Sequence, residues 1–132
     1  MYIDHIAIYV NDLERMREFY ENFFEARASG KYHNQATGLQ TYFLTFADGC
    51  RVELMTRPEV NGQAKPAYGS GYIHLAVGVD TKEDVDALAG RLHGCGYDVE
   101  SGPRTTGDGY YESCIIDPEG NRVEIVAGKK NE

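Results

Sequence analysis

Four residues with metal-binding chemistry recur in two sets. Glu53, in RVELM (51–55), returns as Glu124 in RVEIV (122–126), 71 positions on (124 − 53). His5, in YIDHIAIYV (2–10), returns as His74 in YIHLAVGVD (72–80), 69 positions on (74 − 5). Alternate residues of a strand share a face. Val52 and Leu54 flank Glu53, and Val123 and Ile125 flank Glu124, so each acid points away from an apolar side. The histidines follow the same rule. Ile6, Ile8 and Val10 make one face of the first strand, and His5, Ala7 and Tyr9 the other. Ile73, Leu75, Val77 and Val79 oppose His74, Ala76 and Gly78. Two neutral imidazoles and two carboxylates can supply four ligands to one divalent ion, and Zn, Ni, Co and Mn all accept that mixture. Without a cation, adjacent carboxylates would repel one another. With one, two open positions could take two neighbouring substrate oxygens, and the ion would act as a Lewis acid on an enediolate. Ala7 and Ala76, two positions after each His, leave room above the sheet.

The elements that must position these residues repeat as well. The first helical pattern opens near Asn11-Asp12 and carries Leu13, Met16, Phe19, Tyr20, Phe23 and Phe24 on one stripe. The second opens at Thr81, with Asp84 three residues on as a capping-box signal, and carries Val85, Leu88 and Leu92 until Gly94 and Gly96 stop it. DGCRVEL (48–54) then matches EGNRVEI (119–125). The spacing predicts an α+β chain of two βαβββ modules, 1–56 and 72–128, joined by a Gly- and Pro-rich surface connector, 57–71. The helices bury their stripes against the aliphatic strand faces. The modules together form one domain over 1–132, with a cupped mixed sheet and the helices on its outer face. At about 60 residues, neither module is expected to be stable alone. The KKNE end is expected to fray. If a pseudo-twofold relates the modules, their corresponding ligands converge. Pairing within one chain and exchange between two copies both stay open.

Bulk properties narrow the partners. The chain of 132 residues has 13 basic and 21 acidic side chains, a formal charge of −8, which argues against nucleic acid or an anionic membrane. No apolar run approaches the roughly 20 residues a spanning helix needs. The N-terminus reads as a first strand, not a leader. Cys50, Cys95 and Cys114 are odd in number with no CxxC, and are expected as reduced, mostly buried thiols of a cytoplasmic protein. No motif around Cys50 or Cys114 supports a nucleophile.

The pattern resembles the vicinal-oxygen-chelate superfamily, and within it glyoxalase I. NDLERMREFYENFF after the first strand, GSGYIHLAV at the module junction and DPEGNRVEIV near the end carry the resemblance alongside the four ligand positions. It implies His5, Glu53, His74 and Glu124 around one divalent metal, a small-molecule substrate and a homodimer. The implied reaction converts a 2-oxoaldehyde–thiol hemithioacetal to a 2-hydroxyacyl thioester through a metal-bound enediolate. Glu124 or Glu53 would be the base, with the choice open. The thiol would be glutathione or another. Glutathione-using members carry Arg four residues after the first His and Asn four after the first Glu, where this chain has Tyr9 and Arg57. The same scaffold serves an epimerase of acyl thioesters or 2-oxo acid derivatives, or a drug-binding resistance protein without chemistry. Four intact ligands count against the plain binder, and against an oxygenase or a fosfomycin-type thiol transferase with three. Candidate substrate contacts are Tyr9, Arg57, Arg104 in a Gly-rich loop, and Tyr42, Tyr110 and Tyr111 as walls of the cup. His33, in a polar loop, and His93, in the last helical turn, stand outside the set.

Overall fold

A computed structural model describes residues 1–63 and 66–128. Two residues of the expected connector, 64–65, and the KKNE end lie outside them. The chain forms two compact units, Met1–Ala67 and Tyr68–Glu132. The first unit runs β1 (Ile6–Tyr9), α1 (Leu13–Phe24), β2 (Arg27–Ala28), β3 (Tyr32–Asn34), β4 (Leu39–Thr45), β5 (Arg51–Thr56). The second runs β6 (His74–Val79), α2 (Lys82–Gly94), β7 (Val99–Thr105), β8 (Tyr111–Ile116), β9 (Arg122–Ala127). Each unit has its own mixed sheet. The orders are β1-β5-β4-β2, with β3 also on β4, and β6-β9-β8-β7. β1 runs parallel to β5 and β6 parallel to β9, while the other pairs are antiparallel. The α+β class is as the sequence implied; the second unit has the expected βαβββ order, and the first carries one strand more, βαββββ.

Both helices start at the caps read from sequence. Asp12 accepts the Arg15 backbone N–H at 3.1 Å. Thr81 and Asp84 exchange backbone N–H groups at 3.1 Å each, closing the capping box. In the first unit Met16 of α1 and Leu44 and Leu54 of the sheet are wholly buried. In the second, Val85 and Leu92 of α2 and Ile115, Val123 and Ile125 of the sheet are too. Each such side chain contributes on the order of 1.5–3 kcal/mol by leaving water. Of the predicted stripes, Phe23 and Leu88 stay half-exposed, and Ala89 takes the buried place beside Leu88.

Several local expectations are corrected. β1 begins only at Ile6, so His5 precedes the strand. Ile6 and Ile73 are 42% and 58% exposed, because β1 and β6 are the terminal strands of their sheets. The second strand of the first module is split into β2 and β3. Ser29 stands at the gap, donating its N–H to the Phe43 carbonyl at 2.8 Å and accepting the Phe43 N–H on its hydroxyl at 3.0 Å. His33 lies in β3. Arg104 lies in β7, paired with Glu112. Gly102 and Pro103 read as a loop, but Gly102 takes φ +80° in an irregular stretch and β7 continues past it. A Cβ there would meet the Glu112 carbonyl at 2.5 Å, so the close approach requires glycine. Cys50 and Cys95 are exposed and Cys114 half-buried, all as free thiols. Cys50 follows a turn and Cys95 caps α2, positions the apolar strand pattern does not control. Among the described residues, no helix is long and apolar enough to cross a membrane.

Candidate metal centre

In the first unit β5 carries Glu53 between the buried Val52 and Leu54. Its registered neighbours are Ala7 on β1 and Phe43 on β4. His5 reaches the same face from just before β1. Its Nε2 lies 3.6 Å from Glu53 Oε1, and its ring meets Phe43 edge-on at 5.1 Å between centroids. The other ring nitrogen, Nδ1, is held by Asp4 Oδ2 at 2.8 Å, and Arg51 holds the same oxygen at 2.7 Å. The contacts from His5 and then Arg51 keep the Asp4 carboxyl below its ordinary value. Arg51 in turn lies over the Phe43 ring at 4.6 Å.

In the second unit β9 carries Glu124 between the buried Val123 and Ile125, and β6 opens on His74. His74 Nε2 stands 2.9 Å from Glu124 Oε1. Ala76 and Cys114 are the registered neighbours of Glu124. Glu112 shares this face from β8. Burial, and then the charge and a hydrogen bond of Glu124, raise the Glu112 carboxyl above its usual range. Cys114 is pushed up to about 11 by burial, with Glu100 and Glu124 adding to it. The Cys50 thiol is raised as well, by its contact with Asp48. Neither thiol is thereby poised as a thiolate nucleophile at neutral pH.

The donor set fits a divalent ion. Nitrogen and oxygen ligands at about 2.0–2.2 Å from a metal bring neighbouring donors to about 3.0–3.5 Å of each other. The two His–Glu separations, 2.9 and 3.6 Å, lie about 0.1 Å to either side of that range. All four side chains are partly accessible, the acids at 15% and 19% and the imidazoles at 34%. Each unit brings one His and one Glu together. Among the described residues, no group of three or more His, Cys, Asp or Glu side chains is assembled that could hold an ion.

Other predicted site residues separate by face. Tyr9 shares the face of Ala7 and hence of Glu53, and lines a cleft with Arg57. Arg104 shares the face of Glu112 and Glu124 through its pairing with Glu112. Tyr42 and Tyr111 do not wall the face that carries Glu53 in one unit and Glu124 in the other. Tyr42 pairs with buried Leu54 and donates its hydroxyl to Glu14 on α1 at 2.9 Å. Tyr111 pairs with Ala127 and donates to Asp86 on α2 at 2.5 Å. Both stand on the helix side, because strand parity places them with the core set. Tyr110 precedes β8 and closes a turn onto Thr106. His33 and His93 belong to neither His–Glu pair. Sequence reasoning passed over Asp4, Arg51 and Glu112. Adjacency to His5 marks Asp4. The repeat of Arg51 as Arg122 marks the arginine. Alternation in YESCII puts Glu112, not Tyr111, beside Glu124.

The sequence matches the profile of the Glyoxalase/Bleomycin resistance protein/Dioxygenase superfamily over residues 2–125. It is 28% identical over 131 residues to a lactoylglutathione lyase of Haemophilus influenzae, covering 98% of this chain and 94% of that one. A glyoxylase/bleomycin resistance protein/dioxygenase domain from Frankia sp. EAN1pec superposes with a TM-score of 0.83 at 16% identity, covering 100% of this chain and 95% of that one. The fosfomycin resistance protein FosX from Listeria monocytogenes, solved with Mn(II) and sulfate, superposes at 0.71 with 20% identity, covering 98% and 94%.

Proposed function

The chain belongs to the Glyoxalase/Bleomycin resistance protein/Dioxygenase superfamily, and on that premise we propose that His5, Glu53, His74 and Glu124 together hold one divalent cation in a lyase or isomerase of glyoxalase I type. The observation that carries the reading is the recurrence of a His–Glu pair at ligand spacing, 3.6 and 2.9 Å, at corresponding places of both units. The lactoylglutathione lyase relative supports the same reaction class at 28% identity. A Zn, Ni, Co or Mn ion bound there supplies Lewis-acid stabilisation of negative charge on two adjacent substrate oxygens.

The chain's own part is proton transfer. Glu53 or Glu124 accepts the proton from the carbon beside the carbonyl of a thiol hemithioacetal and delivers it to the neighbouring carbon. The product is a 2-hydroxyacyl thioester. No atom is gained or lost and no external oxidant is needed. Asp4, braced by Arg51, fixes the His5 ring with Nε2 toward Glu53. Tyr9, Arg57 and Arg104 are the proposed substrate contacts. The thiol is glutathione or another, with Tyr9 and Arg57 favouring another. The protein works in the cytoplasm, where its exposed thiols stay reduced. It works as a homodimer, which would cover the exposed Tyr2 and Ile3 ahead of β1 and the exposed Tyr72 and Ile73 ahead of β6.

The test is metal analysis of the purified protein, then reconstitution and assay with methylglyoxal and a panel of thiols. One divalent ion per chain is expected, with turnover abolished by a chelator and by Glu124→Gln. Turnover indifferent to both treatments ends this reading. Deuterium exchange at an acyl α-carbon with no thiol present would move the assignment to the epimerase. Tight ligand uptake without product would move it to a binding protein.

A further inference from the structure

Three peptide bonds of the chain join aspartate or asparagine to glycine: Asp48-Gly49, Asn61-Gly62 and Asp108-Gly109. In such a pair the glycine nitrogen can attack the side-chain carbonyl carbon and close a five-membered ring, since no Cβ shields it. The reaction needs that nitrogen free and the side chain able to reach it. The fold ties down two of the three. The Gly49 N–H donates to the Phe46 carbonyl at 2.9 Å, and the Gly109 N–H to the Thr106 carbonyl at 3.0 Å. Both glycines take the left-handed backbone, at φ +90° and +92°. Their acids are held too. Asp48 accepts the Cys50 N–H at 3.0 Å, and Asp108 accepts the Thr106 hydroxyl.

Asn61-Gly62 is built differently. It follows the turn that the Val60 N–H closes onto the Arg57 carbonyl at 3.0 Å. Residues 61–63 belong to no helix or strand and are exposed. Among the described residues, neither the Gly62 N–H nor the Asn61 amide has a hydrogen-bond partner. Gly62 also lacks the left-handed φ of the other two glycines. Nothing crowds the bond: a Cβ on Gly62 would meet only Asn11 Nδ2, at 3.5 Å. No other asparagine precedes a glycine. Asn34 and Asn121 also have their side chains engaged in local hydrogen bonds.

We infer that Asn61-Gly62 is a site of spontaneous modification, at which the folded protein converts Asn61 to aspartate and isoaspartate. The Gly62 nitrogen bonds to the Asn61 side-chain carbon and gives up its proton. The side-chain nitrogen leaves as ammonia, and a cyclic imide remains. Water then adds to one of the two ring carbonyls and breaks that carbon's bond to the ring nitrogen. Attack on the side-chain carbonyl gives aspartate. Attack on the main-chain carbonyl gives isoaspartate, in which the chain continues through the side chain. One amide nitrogen is lost, one water oxygen is gained, and nothing is oxidised or reduced. Either product sets a new carboxylate in the cleft that Asn61 lines with Tyr9, Arg57 and Glu59. The site thus adds negative charge with age to a chain already at −8. Neither the metal nor the proposed reaction enters the chemistry.

The test incubates the full chain, native and urea-unfolded, in warm, mildly alkaline buffer made with heavy-oxygen water. Peptide mapping by mass spectrometry reads the label at each of the three bonds. Unfolding frees all three, so the ratio of native to unfolded rate isolates what the fold does. That ratio should be near one at Asn61-Gly62. At the two Asp-Gly bonds it should be about one-tenth, because a turn hydrogen bond must first break. Gly62→Ala should slow native labelling at that bond about tenfold, because its Cβ shields the nitrogen. The melting temperature should stay near the parent value, since that Cβ has room. Asn61→Gln should leave the segment unlabelled, because the larger ring closes slowly. A ratio at Asn61-Gly62 as low as those of the Asp-Gly bonds overturns the inference. So does labelling indifferent to Gly62→Ala, or a product that is aspartate with no isoaspartate, since neither passes through the ring.

Discussion

The two modules repeat the same His–Glu pair but support it differently. In the first, the imidazole is braced: Arg51 holds Asp4 and Asp4 holds His5 Nδ1. In the second, Ile73 stands where Asp4 would, and Arg122, the counterpart of Arg51, pairs with Glu100 at 3.0 Å instead. Across the sheet, Glu53 faces Phe43, with Thr41 diagonal to it. Glu124 faces Cys114, with Glu112 diagonal. One half therefore offers a fixed imidazole beside an aromatic wall. The other gathers a second carboxyl and a thiol around its glutamate. The His–Glu pair recurs in both modules, while the residues around it differ.

The largest expected effect tests whether the halves fold as one. Leu54 and Ile125 are both wholly buried in the last strand of their units. Leu54→Ala and Ile125→Ala should each cost about 2–5 kcal/mol. Because units of about 60 residues are only marginally stable alone, each change is expected to shift a single urea transition. Two separated transitions would show that the modules are independently stable. Next comes the brace on His5. Asp4→Asn should weaken divalent-metal affinity by roughly 10–100-fold, as loss of an orienting partner does. The same polar change at Glu100 should leave affinity near the parent value, because Glu100 pairs with Arg122 and not with the His74 imidazole. Competition with a chromogenic chelator reads both. Equal losses would erase the difference between the modules.

The repeated strands and the caps were legible because they rest on local signals: alternation around Glu53 and Glu124, and side-chain acceptors at Asp12 and Thr81. The face of a tyrosine was less so. Tyr42 and Tyr111 are amphipathic, and their hydroxyls suggest a polar pocket. Yet their parity matches Leu54 and Ala127, and α1 and α2 provide Glu14 and Asp86 to satisfy them. Arg104 was misplaced because Gly102-Pro103 reads as a chain break, whereas register across β7 and β8 is a non-local property. The Asp4–Arg51 contact spans 47 residues, and only the pairing of β1 with β5 brings it about.

On the helix side the modules differ again, with a smaller effect. Glu14 is held by Lys31 at 2.7 Å, by the Tyr42 hydroxyl and by Arg17. These contacts, Lys31 foremost, lower its carboxyl from 4.5 to about 2. A folded-state value below the unfolded one stabilises the protein above the unfolded value, and that contribution is lost as pH falls from 4.5 toward 2. Glu14 is 45% exposed, so solvent screening limits its worth to about 1 kcal/mol. Glu14→Gln should lower stability at neutral pH by that amount. The gap to the parent should close across this acid window in urea melts. A gap that stays constant with pH would assign the loss to packing instead of charge.

The smallest effect concerns Glu112. Its carboxyl sits beside Glu124 in the second unit, where the first unit has Thr41. Replacing it with glutamine keeps the shape and a hydrogen-bond donor for Glu124 but removes one member of a crowded acidic pair. In the metal-free protein, Glu112→Gln should therefore raise the melting temperature by about 1–3 °C, the shift expected from relieving roughly half a kcal/mol in a chain this size. Thr41→Glu, the reciprocal change, should lower it by introducing beside Glu53 the crowding that the first module lacks. Calorimetry of the two variants with metal removed measures both. Opposite signs would locate the electrostatic load in the second module. A fall for both would mean that Glu112 is held chiefly by its packing against β9.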